Sequence, residues 1–173
     1  IRDTVREDYQ EIFRVMGYSL EEGEEELQRV ASLLKIEELI DRHPYDLSGG
    51  EQQKAALGKI LLLKPELILL DEPTKGMDAF SKETLKNILK SLTKQGVSII
   101  MVTHDVEFAA EVSKGCAMLF DGSLSELESP RDFFAGNQFY TTAANRIARD
   151  IISEAITCEE VIEVCREIRE EAV

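Results

Sequence analysis

Along the first 45 residues apolar side chains return every three or four positions, the spacing of one helix face. Thr4 followed by Glu7 is a capping-box pattern, and Val5, Tyr9, Ile12, Phe13 and Met16 then share a face until Gly17 stops the helix. Ser19 and Glu22 repeat the start signal, with Leu20, Leu27, Val30, Ala31 and Leu34 as the stripe. The rhythm then changes. Leu67–Leu70 is a short apolar run and Val97–Val102 a β-branched one, each bounded by Gly or Pro, and both predict buried strands. Between them Leu85, Ile88, Leu89 and Leu92 predict a helix over Ser81–Lys94. A helix over Val106–Val112 and a strand over Cys116–Phe120 follow. Asp121-Gly122 then marks a hairpin into a more polar strand near Ser123–Glu128. Thr157 and Glu160 cap a last helix whose face is Cys158, Val161, Ile162, Cys165 and Ile168. Alternating strands and helices of these lengths predict an α/β fold, a parallel sheet with an antiparallel edge.

Composition narrows the class. The chain has 173 residues, 43% apolar, enough for one domain with its own core and too apolar for disorder. Its formal charge of −14 argues against a general nucleic-acid partner, because phosphate backbones attract basic surfaces. The acidic runs Glu21–Glu26 and Glu159–Glu171 read as solvated helix faces. Cys116, Cys158 and Cys165 lack C-x-x-C spacing and read as reduced, mostly core-facing thiols. His43 and His104 lie far from any cysteine pair, so zinc is not expected. The longest apolar stretch, Ile60–Leu70, is interrupted by Lys64, Pro65 and Glu66, and no segment is expected to span a bilayer. No signal peptide is recognised, and the chain opens on Ile1 rather than Met, as expected of a fragment or a processed chain.

Three segments carry candidate chemistry. Leu47-Ser48-Gly49-Gly50-Glu51-Gln52-Gln53-Lys54 precedes an apolar helix. A hydroxyl and two bare backbone positions at a helix N-terminus can cradle an anion, although an isolated Ser-Gly-Gly is more often a plain cap in a turn. Leu67–Leu70 runs into Asp71, Glu72 and Pro73. Two carboxylates at the carboxyl end of a parallel strand lie where ligands bind in such folds. There Asp71 can hold Mg²⁺ through water, and Glu72 can take a proton from an attacking water. A strand ending in a polar turn would look the same. Thr103-His104-Asp105 leaves the end of the second strand, where His104 can contact a phosphate oxygen or play a structural part.

Taken together, the order and spacing of the three segments resemble the ATP-binding-cassette (ABC) transporter ATPase family almost along the whole chain. LSGGEQQK resembles the family signature, LILLDEPTKGMD resembles Walker B with the following D-loop, and THD resembles the switch-histidine segment. The resemblance implies a partial P-loop NTPase-like parallel sheet, preceded by the family's helical subdomain and followed by a helical C-terminal extension. It implies one partial ATPase domain over 1–173, divided into a helical subdomain (1–46), the motif-bearing core (47–128) and the extension (129–173). ATP and Mg²⁺ are the implied cofactors, held in a head-to-tail dimer of cassettes. Ser48, Gly49, Gly50, Glu51 and Asp78 are then expected to serve a nucleotide held by the other cassette. Asp71, as the Mg²⁺ residue, Glu72, as the base, and His104 would serve one held by their own.

Departures from the family pattern are clear. Glu51 stands where Gln is commonest, Met77 replaces a usual Leu, and Gly58 inside the signature helix weakens it by about 1 kcal/mol against alanine. None of the ten glycines opens a G-x-x-x-x-G-K-[ST] pattern, so the P-loop is absent from this sequence. The chain is therefore expected to be the C-terminal part of a cassette and inactive alone.

The segment Arg131–Arg146 resembles the C-terminal extension of energy-coupling-factor importers, which take up vitamins or transition-metal ions. That resemblance implies an ATPase subunit on the cytoplasmic face of the membrane. Its partners would be a second ATPase domain, as a homo- or heterodimer or a fused copy, and transmembrane transporter subunits, with no nucleic acid. A soluble non-transport ABC ATPase and a plain interaction module are the alternative readings.

Overall fold

The computed structural model describes residues 2–171, which form two compact units divided between Val102 and Thr103. In the first unit α1 (Val5–Met16) starts where the Thr4 side chain accepts from Glu7 N–H and stops where Gly17 turns left-handed at φ 69°. α2 (Leu20–Leu34) opens with a full capping box: Ser19 N–H donates to the Glu22 carboxylate at 2.8 Å, and Glu22 N–H donates to Ser19 Oγ at 3.2 Å. Two single 3₁₀ turns, Glu37–Leu39 and Pro44–Asp46, lead into α3 (Gly49–Leu61). α1, α2 and α3 pack mutually around Val5, Tyr9, Leu27, Val30, Ala31, Leu34, Leu57 and Leu61. Full burial of each such large aliphatic side chain contributes about 1.5–3 kcal/mol. Leu20, expected in the stripe, is 96% exposed; it sits at the first position of α2, one turn short of the packed stretch.

β1 (Leu67–Asp71) and β2 (Ser98–Val102) pair in parallel with Leu67 opposite Ser98 and Asp71 opposite Val102, and α4 (Ala79–Lys94) is the crossover between them. α4 buries Thr84, Leu85, Ile88, Leu89 and Leu92, the expected stripe. Side chains alternate across the pleat, so Ile68, Leu70, Ile99 and Met101 share one face and Leu67, Leu69, Ile100 and Val102 the other. The first face is buried or half-buried. The second is open, with Leu69 67% and Ile100 58% exposed. The expectation of two fully buried strands thus fails on one face, because among the described residues no layer covers it.

The second unit begins with α5 (Val106–Val112). A hairpin follows, in which β3 (Leu119–Phe120) and β4 (Ser123–Leu124) flank Asp121 and Gly122 at φ 47° and 74°. The left-handed pair at the tip is what a two-residue hairpin turn requires. Strand pairing is shorter than the sequence predicts, although Cys116 and Glu128 still exchange backbone hydrogen bonds at 2.8 and 2.9 Å. The antiparallel element is its own two-stranded sheet. α6 (Pro130–Gly136), α7 (Ala143–Ala148) and α8 (Cys158–Glu171) complete the unit. Phe134, Ala110 and Ile156 form its core.

Asn145 holds the turns of this unit together. It is fully buried and donates to Ser153 O at 3.0 Å and Ala155 O at 2.9 Å, while its oxygen accepts from Thr141 Oγ1 and Arg149. The predicted cap of α8 is present, with Glu160 N–H on Thr157 Oγ1 and the Glu160 carboxylate receiving Ile156 and Thr157 N–H. The predicted apolar face is not. Cys158, Ile162, Cys165 and Ile168 are exposed and only Val161 is half-buried. Two of the three cysteines are accordingly surface thiols, and Cys116 is half-buried.

Candidate functional site

α3 begins at Ser48 because the sequence supplies both halves of a capping box. Ser48 N–H and Oγ–H donate to the same Glu51 oxygen at 2.8 and 2.7 Å, and Glu51 N–H returns a weaker bond to Ser48 Oγ at 3.4 Å. The bonds from the Ser48 hydroxyl and backbone hold the Glu51 carboxyl below the usual carboxylate range. Gln52 Nε2 ties the incoming chain by donating to Leu47 O at 2.9 Å. Gly49 is exposed and Gly50 is buried.

Both glycines face a second helix start. After β1 the chain turns at Glu72 and Gly76, with φ 46° and 75°, and Asp78 caps α4 by accepting Ser81 N–H at 2.7 Å. The Ser81 backbone and hydroxyl bonds hold the Asp78 carboxyl low. A Cβ built on Gly50 would lie 3.1 Å from Ser81 Oγ and 3.9 Å from Met77 Cγ; one on Gly49 would lie 4.0 Å from Gly76 O. The structure therefore brings Gly49 and Gly50 at the start of α3 against Gly76, Met77 and Ser81 around the start of α4, two helix N-termini side by side. Ser81 was not singled out in the sequence. The signal was there, in its position three residues after Asp78, where an N-capping side chain finds its donor.

Asp71 is the last residue of β1, and it is exposed. Glu72 follows in the left-handed region, half-buried, with its N–H on Val102 O at 2.8 Å and its carbonyl receiving Lys75 N–H at 3.1 Å. A non-glycine residue there costs of order 1 kcal/mol or more and recurs at functional turns. The strand end thus presents two adjacent carboxylates with different backbone directions. His104, in the second unit, is exposed; its carbonyl accepts Val106 N–H at 3.1 Å, and its neighbour Asp105 caps α5 by accepting Phe108 N–H at 3.1 Å.

The residues present fit one side of a nucleotide site. The bare backbone of Gly49 suits a phosphate at a helix N-terminus, and the Ser48 hydroxyl, which donates to Glu51 in this structure, would have to exchange that partner to reach one. Among the described residues no three His, Cys, Asp or Glu side chains gather as a metal cage. Mg²⁺ does not need one, since it keeps several waters and binds through one or two carboxylates plus phosphates. Asp71, exposed at the end of β1, is open to such a role. A P-loop cradle for the phosphates is not part of this sequence.

Comparison with known proteins points one way. The family described as ABC transporter matches residues 2–75. A putative ABC transporter ATP-binding protein of Bacillus cereus is 47% identical over 145 residues, covering 84% of this chain and 26% of the relative. An energy-coupling factor transporter ATP-binding protein of Oenococcus oeni is 33% identical over 140 residues, 79% of this chain and 48% of its own length. Among solved structures, cbiO1 of Clostridium perfringens, part of the ABC transporter complex cbiONQ, superposes with a TM-score of 0.71 at 23% identity, over 87% of this chain and 59% of that one. A dimeric ATP-binding cassette in a post-hydrolysis state with ADP and Pi superposes at 0.64 with 29% identity, over 74% and 57%. The chain spans about a quarter of the length of its Bacillus relative and about half that of the Oenococcus one.

Proposed function

The chain belongs to the ABC transporter ATPase family, and from that premise we propose that it forms the signature, Walker B, D-loop and switch-histidine part of the ATPase subunit of a membrane importer. The observation that carries this reading is the pairing of the Ser48–Gly50 turn with the Asp78 helix start, next along the chain to the strand end bearing Asp71 and Glu72. In this reading residues 1–46 are the helical subdomain, 47–128 the motif-bearing core and 129–173 the extension. The importer is of the energy-coupling-factor type, serving a vitamin or a transition-metal ion. The Oenococcus relative's name supports that class, and the likeness to an assembled cassette supports the fold it needs.

Two cassettes sandwich the nucleotide, and the dimeric neighbour supports that assembly. Ser48 and the N–H groups of Gly49 and Gly50 close on the γ-phosphate of a nucleotide held by the partner cassette, with Glu51 and Asp78 at the same seam. On its own cassette's nucleotide, Glu72 accepts the proton of the attacking water, and His104 orients that water and contacts the γ-phosphate. Asp71 would hold Mg²⁺ through water, and the metal supplies charge neutralisation on the phosphates. The 173-residue chain by itself does not turn over ATP. In the importer it sits on the cytoplasmic face against transmembrane subunits; among the described residues no helix is long and apolar enough to cross a membrane.

The test is Glu72→Gln in the whole protein. The amide keeps the shape but cannot take the proton, so turnover should fall about 10²–10⁴-fold while ATP binding persists. Unchanged turnover would remove Glu72 as the base.

A further inference from the structure

We infer that Ser81 is a positioning residue that locks the Ser48–Gly50 turn to the Gly76–Asp78 turn, so that the two shift as one surface. The inference rests on the trans reading above only for its consequence on turnover; the lock itself is a matter of packing within this chain. Ser81 faces both ways. Its N–H donates to Asp78 Oδ1 at 2.7 Å, and its hydroxyl also bonds the Asp78 carboxylate, fixing the start of α4. The same hydroxyl lies 3.1 Å, and Ser81 Cβ 3.4 Å, from the point where any side chain on residue 50 would begin. Gly50 is buried there, and Met77 Cγ closes the contact at 3.9 Å. Gly49 adds a second approach, toward Gly76 O.

The start of α3 therefore rests on the start of α4 through backbone and one small hydroxyl at closest approach, with the Met77 side chain at the edge of the contact. Each helix start is also pinned by its own cap, Ser48 with Glu51 and Asp78 with Ser81. A displacement of one cap is consequently passed to the other. By this geometry a nucleotide pressing on the signature turn moves Asp78, and movement of the loop after Glu72 reaches the signature.

Amide hydrogen exchange on this chain reads the lock directly. In Gly50→Ala the new methyl crowds Ser81 Oγ at 3.1 Å, which must give by a few tenths of an ångström, and exchange at Glu51 N–H and at Ser81 N–H should quicken together by up to about tenfold, the weight of one net hydrogen bond. Adding Ser81→Ala removes the 3.1 Å neighbour and leaves the ordinary 3.4 Å one, and the methyl on residue 50 then fills the place the hydroxyl left. The double variant should therefore return Glu51 to within about twofold of the parent, unlike Ser81→Ala alone, which leaves that place empty. A response confined to α3, or a double variant no better than Gly50→Ala, overturns the lock. If Gly50→Ala fails to fold, Ser81→Ala alone serves: it should quicken exchange at Glu51, and an unchanged Glu51 overturns the inference.

In the assembled pair of cassettes Ser81→Ala should lower kcat several-fold and leave KM for ATP within about twofold, as expected for a lost positioning contact. Coupled exchange with unchanged kcat would uphold the lock and refute the trans reading it was joined to.

Discussion

Gly58 tests how the signature helix is seated. Alanine is about 1 kcal/mol better than glycine inside a helix, so helix propensity alone predicts that Gly58→Ala stabilises the chain. The packing predicts the reverse. A Cβ on residue 58 would stand 2.0 Å from the Tyr9 hydroxyl, 2.8 Å from Tyr9 Cζ and 3.0 Å from Leu34 Cδ1. Tyr9 is fully buried and cannot swing aside freely, because its hydroxyl donates to Ala55 O at 2.8 Å. Burial also pushes the Tyr9 phenol pKa up, so the group stays a neutral donor. Overpacking a closed site costs about 1–3 kcal/mol. Breaking the buried phenol–carbonyl bond costs about another 1–3 kcal/mol. After the propensity gain, Gly58→Ala should destabilise by about 1–5 kcal/mol.

Urea unfolding followed by tyrosine fluorescence reads this, since the chain has four tyrosines and no tryptophan. At a slope of about 2 kcal/mol/M the midpoint should fall by about 0.5–2.5 M. Gly136→Ala is the control: nothing lies within 4 Å of its missing Cβ, so its midpoint should hold or rise. Gly58→Ala with Tyr9→Phe should recover part of the loss, because the 2.0 Å conflict is removed. A higher midpoint for Gly58→Ala than for the parent would refute the reasoning.

Two further expectations follow from buried and exposed groups. Burial would push the Asp8 carboxyl up, but the Lys59 ammonium at 2.8 Å and the Arg2 N–H outweigh it and hold it below the usual value. A carboxyl lowered by folding adds stability above its unfolded pKa and loses it as pH falls through the folded value. Lys59→Met should therefore cost about 1–2 kcal/mol at neutral pH, discounted because Lys59 is partly exposed, and that cost should vanish well below about pH 4 in acid-titrated urea curves. With a thiol reagent on the folded chain at pH 8, Cys158 and Cys165 should react in a fast phase. Cys116 should be slow, since burial pushes its thiol pKa up; equal rates for all three would contradict that placement.

The helix starts were legible because a cap is local. Thr4 with Glu7, Ser19 with Glu22, and Thr157 with Glu160 each lie three residues apart, and in each the first side chain accepts the N–H of the second. The parallel pair was legible from two short apolar runs. Which strand face is covered was not, since Leu69 and Ile100 are apolar whatever lies over them. The same holds for α8, where the apolar spacing of Cys158, Ile162 and Cys165 says nothing of how far the unit's core reaches. Gly58 read as a weak point in a helix; the reason for it, the ring of Tyr9, lies two helices away in sequence. At the site, motif order gave the residues; the spacing after Asp78 marks Ser81 only as the donor to a cap, and its approach to Gly50 is set by the fold.

The central claim is that Ser48, Gly49 and Gly50 act on a nucleotide held by another cassette. An ATP analogue carrying a photoreactive group on the γ-phosphate, bound to a cassette that has a P-loop, tests it most directly when this chain is added. Peptide mapping should find the label on Leu47–Lys54 of this chain, and none on the chain irradiated with the analogue alone. Label confined to the P-loop-bearing cassette would contradict the claim.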